Sequence, residues 1–528
     1  MTSARIVIAT AFAALCSSAL AQTPQGWYRN GQAAVEEAKR LSPNNAEAKN
    51  VILFIGDGMG VTTVTAARIL EGQLRGDPGE ENRLSFEELP FTALVKTYNV
   101  NQQVPDSAGT MTAIVTGVKT DAWVLSVNHN VTQGDYTTVA GNELTTIVEL
   151  AEKAGRSTGI VTTTRVTHAT PAACYAHVAE RGWENDSDLP DEAKAADFKD
   201  IARQLIEFPF GDGIEVVLGG GRREFLPKTV NDPEDAGKSG ERSDGRDLTT
   251  EWRKMPRAAY VWNKADFDAI DVSATDHLLG LFERSHMEYE HDRPKDKGGE
   301  PSLSEMTAKA IDLLSRNHKG FFLVVEGGRI DLAHHRANAY RALTETVEFA
   351  KAVELATDKT DRRDTLIIVT ADHDQVLTFS GYPVRGNPIL GKVVGVDEQG
   401  NLGTDFTLDA LGLPYTALNY ADGPGYTGTP DVQPEGATRE PNADRPHKRM
   451  TKGRPDLTNV NTEAPDYLNE CLVPTGYTDG RGQPHLSGTH GGADVPLYAG
   501  GPQAHLFHGV LEQNVIFHVM VEALGLEP

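Results

Sequence analysis

Cysteine is scarce, three residues in 528. Cys16 falls in the leading segment. Cys174 and Cys471 are permitted to pair in an oxidising compartment, but nothing in the sequence places them within reach, and two buried thiols is the equal alternative. Positive charge is short as well: 50 Lys and Arg against 75 Asp and Glu leave a formal net charge of −25. That balance argues against a nucleic-acid partner, whose footprint is a basic surface. An anionic substrate would need a local positive field against this background, most economically from metal ions. No apolar run beyond the leader approaches the roughly 20 residues of a membrane span. The ending, Val519 to Pro528, lacks the hydrophobic tail of a GPI signal, so no membrane anchor is expected. Internal repeats are also missing. What is there is ordinary: 39% hydrophobic and 24% charged residues, which excludes a disordered chain and requires a substantial core. Length allows two to four domains or one large α/β domain carrying insertions.

The start of the chain reads as a targeting segment. Arg5 gives a minimal positive region, Ile6 to Leu15 an apolar one, and Ala19-Leu20-Ala21 a small-x-small cleavage site. The expectation is a signal peptide over 1–21, cleavage after Ala21 and a periplasmic or secreted protein. Leu15 before Cys16 favours ordinary cleavage over lipid attachment.

Short apolar runs alternate with helical patterns, which predicts a doubly wound α/β fold: a mostly parallel central sheet with helices on both faces. The strands are expected at Val51–Ile55, Thr158–Thr162, Phe321–Val325 and Thr365–Val369. Helices are expected over Glu143–Ala154 and Ser304–Arg316, and in one long element from Ile330 through Val353. Between about 377 and 484 the composition shifts to Gly, Pro, Asn and Asp without strand and helix rhythm, too long for a plain loop. The segment is read as an inserted subdomain, with 22–376 and 485–528 forming the core.

In such a fold the chemistry sits beyond the carboxyl ends of the strands. Three of these strands end there in Gly56-Asp57-Gly58, Glu326-Gly327-Gly328 and Asp372-His373. Asp331 and His335 stand one helical turn apart and can share a metal between carboxylate and imidazole, whereas His334 points elsewhere. His490 lies in the loop Ser487-Gly488-Thr489-His490-Gly491-Gly492. Asp331, His335 and His490 together have the three-ligand pattern of catalytic zinc. Each residue has a plain alternative: Asp57 as a helix N-cap, Asp372-His373 as a polar turn, His490 as a surface imidazole. The nucleophile candidate is Ser107 in Val104-Pro105-Asp106-Ser107-Ala108-Gly109, at a helix N-terminus that favours an anion; an ordinary N-cap is its alternative. A Ser-His-Asp hydrolase would show a G-x-S-x-G elbow, which is absent around Ser107, so a metal-activated hydroxyl is the expected nucleophile.

Taken in order, these motifs resemble the alkaline phosphatase family from Asn50 to Leu526. Those that carry the resemblance are Gly56-Asp57-Gly58-Met59-Gly60, Asp106-Ser107-Ala108, Thr167-His168-Ala169-Thr170-Pro171-Ala172, the stretch Glu326 to His335, Thr370-Ala371-Asp372-His373 and Thr489-His490-Gly491-Gly492. The resemblance implies a phosphomonoesterase that forms a phosphoserine on Ser107, with Arg181 and His168 at the phosphate. It implies two zinc ions, one on Asp331, His335 and His490 and one on Asp57, Asp372 and His373. A magnesium, open to replacement, would sit on Asp57, Thr170 and Glu326. It also implies a homodimer. His168 lies where some members carry Asp, Leu332 where a polar residue is common, and Gln375 where a His is common. A further resemblance to the animal-type branch implies a calcium site on Glu234, Glu283 and Glu300 with the carbonyl of Phe282; a solvated acidic loop is the alternative. The rival readings are a phosphodiesterase of the same architecture and a secreted metal- or phosphate-binding protein without turnover.

Overall fold

The computed structural model describes residues 23–397, 399–408, 415–421, 474–478, 484–486 and 488–527. The expected leader with its expected cleavage site, Cys471, Ser487 and much of the expected insertion lie outside the described residues. Residues 23–44 carry one helix, Pro24–Ala38, started by Thr23, whose hydroxyl accepts the Gly26 N–H, and by proline in its first turn.

From residue 45 onward the chain builds a ten-stranded sheet: β1 Asn50–Gly56, β2 Phe91–Lys96, β3 Ser157–Arg165, β4 Val216–Gly220, β5 Ala258–Val261, β6 His277–Leu281, β7 Phe321–Gly327, β8 Thr365–Thr370, β9 Val495–Gly500 and β10 Gly509–Glu512. Its order is β10-β2-β9-β8-β1-β7-β3-β4-β6-β5, and only β9 runs antiparallel to its neighbours. The expected doubly wound, mostly parallel sheet is therefore present. Val51 to Ile55 and Phe322 to Val325 are fully buried, as uninterrupted β-branched and aliphatic runs must be when helices cover both faces. Helices Leu303–Leu314 and Ala339–Lys359 pack together against the central strands, and Ser107–Thr116, Ile147–Lys153 and Val515–Leu524 form a second group. Phe349, from the first group, meets Phe54 and Phe86 edge-on, with ring centroids 5.8 and 6.1 Å away.

Register decides where the chemistry goes. Ile55 pairs with Glu326 on one side and with Thr370 on the other, so Asp57, Glu326 and Asp372 emerge together at one edge. Two helices differ from expectation. The one expected from Glu143 begins at Ile147, because Thr146 accepts the Glu149 N–H as its cap, while Glu143 bridges to Val127. The long helix expected from Ile330 through Val353 is two, Arg329–His335 and Ala339–Lys359. Ala337 at φ 50° breaks the first, and the Asn338 side chain caps the second by accepting the Arg341 N–H.

Two carboxyl groups meet at the opposite edge. The Thr158 hydroxyl donates to Glu152 at 2.5 Å and its N–H to Glu215 at 2.6 Å. Burial and the charge of Glu215 push Glu152 up to about 9, and burial pushes Glu215 up to about 7. A carboxyl with a raised folded-state value holds its proton more tightly when folded, so stability is full below the unfolded value and falls as pH rises through the folded one. The loss spans about pH 4.5 to 9. Glu152→Gln is therefore expected to narrow the drop in Tm between about pH 5 and pH 9.5, read by calorimetry. An equal Tm offset at both pH values would rule this pair out as the cause.

Candidate active site

The glycines around Asp57 let the strand ends crowd together. A Cβ at Gly60 would lie 1.5 Å from Asp374 Oδ1, and Gly58, at φ 66°, turns its N–H onto Asp372 Oδ1 at 3.1 Å. Asp57 and Asp372 are fully buried, and both Asp57 oxygens, Asp372 Oδ2 and Glu326 Oε1 have no hydrogen-bond partner. Burial and the charges of Asp372, Asp331 and Glu326 push Asp57 well above the usual carboxylate range. Burial likewise raises Asp372 to about 6 and Glu326 to about 7. Buried, mutually repelling and orphaned carboxylates are the donor set that divalent cations compensate.

The imidazoles are oriented to match. Nδ1 of His335 lies 2.8 Å from the Gly488 carbonyl, Nδ1 of His490 2.7 Å from that of Pro105 and Nδ1 of His373 3.2 Å from that of Asp374. A proton on each Nδ1 leaves Nε2 as the acceptor, facing the carboxylates. His335 Nε2 is 3.1 Å from Asp331 Oδ2 and from His490 Nε2, which is itself 3.7 Å from Asp331 Oδ1. His373 Nε2 is 3.4 Å from Asp57 Oδ1 and 3.2 Å from Asp372 Oδ2. Burial lowers His373 to about 4, and burial with the neighbouring His373 lowers His490 to about 3. Against its own burial, Asp331 is held well below the carboxylate range by His335, His490 and His373.

Three groups of potential ligand atoms result, each within 4.8 Å: Asp331, His373 and His490; Asp57, Asp372 and His373; and Asp57, His168 and Glu326. The second group is the expected one; the first carries His373 where His335 was expected, His335 lying 3.1 Å from both Asp331 Oδ2 and His490 Nε2, and the third carries His168 where Thr170 was expected, Thr170 being buried near Glu326. His168 belongs to the third group by position. Thr162 and Thr164 hold Glu326 through their hydroxyls, the latter at 3.1 Å. His334 turns away, to Thr63 at 3.0 Å and Tyr420 at 2.8 Å. Gln375 donates to Asp331, and the ladder Gln375–His490, Asp374–Gly491 sets His490 beside it.

Ser107 opens the helix Ser107–Thr116, with Asp106 rather than Ser107 as its cap. Its Oγ lies 3.1 Å from His373 Nε2. Arg181 reaches the same place: it donates to Asp106 Oδ1 at 2.5 Å and lies 3.0 Å from His168 Nε2. Arg181 and the Trp123 N–H hold Asp106 below its usual value despite its burial. A cleft of about 630 Å³ is lined by Ser107, Asp331, His335, His490, Arg181, His168, Trp123, Leu332 and Arg165. Arg165, a second cation, was not singled out from sequence, although it ends β3 where the strand-end rule would have found it. Glu184 grips it with two bonds of 2.7 and 2.6 Å.

A separate group holds Glu234, Glu283 and Asp296. Asp296 joins two of the expected carboxylates there. The Phe282 carbonyl accepts the Arg222 guanidinium at 3.0 Å, which also binds Glu234 at 3.0 Å. Glu300, outside that three-carboxylate group, takes the Glu288 N–H at 3.0 Å, and burial with the charges of Glu283 and Asp296 pushes it up to about 10.

A family model described as Alkaline phosphatase matches residues 48–526. The chain is 44% identical over 532 residues to the tissue-nonspecific alkaline phosphatase of Gallus gallus, covering 98% of this chain and 93% of that protein. It is 43% identical to the alkaline phosphatase of Gadus morhua, covering 95% and 97%. Among solved structures, Thermus thermophilus alkaline phosphatase shares the fold at a TM-score of 0.61 and 24% identity, covering 93% of this chain and 94% of that one. The alkaline phosphatase of the Antarctic bacterium TAB5 does so at 0.57 and 22%, covering 92% and 100%. The chain belongs to the alkaline phosphatase family of metal-dependent phosphomonoesterases.

Proposed function

We propose that this enzyme cleaves phosphate monoesters through a phosphoserine on Ser107. The carrying observation is that Ser107 Oγ lies 3.1 Å from His373 Nε2, the atom that also meets Asp57 and Asp372. Zinc would be held by Asp331, His335 and His490 and by Asp57, Asp372 and His373, and magnesium by Asp57, Thr170 and Glu326 with His168 alongside. Calcium would be held by Glu234, Glu283 and Glu300 with the Phe282 carbonyl, and Asp296 alongside. When bound, the active-site cations supply Lewis-acid charge that lowers the pKa of a coordinated hydroxyl and stabilises a departing alkoxide.

The chain's own contribution is placement. Ser107 Oγ forms the bond to phosphorus as the ester oxygen leaves with the alcohol; water then breaks the Ser107 ester and inorganic phosphate departs. Backbone N–H groups at the start of helix Ser107–Thr116 favour the anion. The Arg181 fork is steered by Asp106, leaving donors for two non-bridging oxygens, a geometry that suits a dianionic monoester better than a diester. Secretion after cleavage at Ala21, a homodimeric assembly and a subdomain over 377–484 complete the proposal. Among the described residues no helix is long and apolar enough to cross a membrane.

Hydrolysis of an aryl phosphate monoester is expected to exceed that of the matching diester clearly in kcat/KM. A diester preference would replace this reading with the phosphodiesterase one.

A further inference from the structure

Trp123 has left-handed backbone geometry, φ 73°, which a bulky side chain rarely adopts and glycine adopts without cost. The main chain there is in use. Its N–H donates to Asp106 Oδ2 at 2.9 Å and its carbonyl accepts the Arg181 N–H at 2.8 Å, so the strained residue braces both the cap of the nucleophile helix and the phosphate-facing arginine. Glycine would serve that purpose equally well. The ring must be explained separately, and it is not core packing: Val124 and Leu125 beside it are fully buried, whereas Trp123 is half-buried and lines the cleft. Its ring centroid lies 5.9 Å from Arg181 Cζ, within the range of a cation over an aromatic face. Val104, 44% exposed, and Leu332 line the same cleft and add apolar surface to it.

Ser107 and Arg181 fix the phosphoryl group in this cleft, so the alcohol portion of the ester must occupy the rest of it. We propose that Trp123 is a specificity-determining residue whose indole forms one wall for the leaving group and favours monoesters of planar aromatic alcohols and nucleosides over aliphatic ones. Backbone strain without a core role is found where a side chain is held for function, and an aromatic wall selects planar partners by stacking, with little dependence on their hydrogen-bonding pattern.

This inference rests on the phosphomonoesterase reading, and the test separates the two. AMP and ribose 5-phosphate release the same kind of primary alcohol and differ in the base alone. The ratio of their kcat/KM values is expected to favour AMP in the parent enzyme and to fall about three- to tenfold in Trp123→Gly, mainly through KM. Trp123→Phe should restore most of the ratio and Trp123→Leu little of it. A ratio unchanged in both Trp123→Gly and Trp123→Leu would overturn the assignment while leaving phosphatase activity standing. Failure of the parent enzyme to hydrolyse either ester would strike at the underlying reading instead.

Discussion

Ser107→Ala is expected to yield a folded, metal-loaded protein whose kcat for an aryl phosphate falls by at least about 10³-fold. The fold should survive because Ser107 contributes little to its own helix: Asp106 supplies the cap, accepting the Ala108 N–H at 3.0 Å, and the Thr110 hydroxyl bonds to the Ser107 backbone carbonyl rather than to its side chain. The ligands are also spared, since His373 is fixed by Asp372 and Asp374 independently of the serine. What disappears is the oxygen proposed to accept the phosphoryl group. Residual hydrolysis by direct water attack accounts for whatever remains. Steady-state rates, metal content by mass spectrometry and Tm on the same sample make the comparison, and wild-type-like rates in the alanine protein would refute the covalent route.

Stripping divalent cations with a chelator is expected to abolish turnover and lower Tm together, and zinc with magnesium should restore both. Asp57, Glu326, Asp331 and Asp372 are all at most 4% exposed and close enough to raise or lower one another's proton affinity. Four carboxylates brought out of water without counter-charge are costly, so cations that bind the folded state alone stabilise it by mass action. Arg181 and Arg165 do not supply that counter-charge, being committed to Asp106 and Glu184. The signature is the coupling of the two losses. Full activity after exhaustive chelation, verified by metal analysis, would exclude a metal-dependent mechanism.

Much of this site was legible in the sequence because it obeys a rule of position. Apolar runs long enough to be buried strands end in acids and imidazoles, and the parallel register carries those ends to one edge without further information. Asp331 and His335 were legible for a similar reason, being one turn apart. What stayed hidden depends on contacts distant in the chain. Nothing near Arg181 announces that Asp106, 75 residues earlier, takes its guanidinium. Asp296 is one acid among several in a polar stretch, and only the fold shows that it stands within reach of Glu234 and Glu283. The break after His335 comes from Ala337, a good helix former forced into a left-handed turn by the capping of the next helix. Glu143 reads as a helix start until its bridge to Val127 is known.

The short ladder between Asp374–Gln375 and His490–Gly491 ties the neck of a long excursion of the chain. Ligands on both flanks, His373 and His490, are clamped at that neck, and their rings stack with centroids 3.7 Å apart. His335 leans on the same neck through the Gly488 carbonyl at 2.8 Å, so three imidazoles share one anchorage and a change of length that shifts the ladder would displace His335, His373 and His490 together.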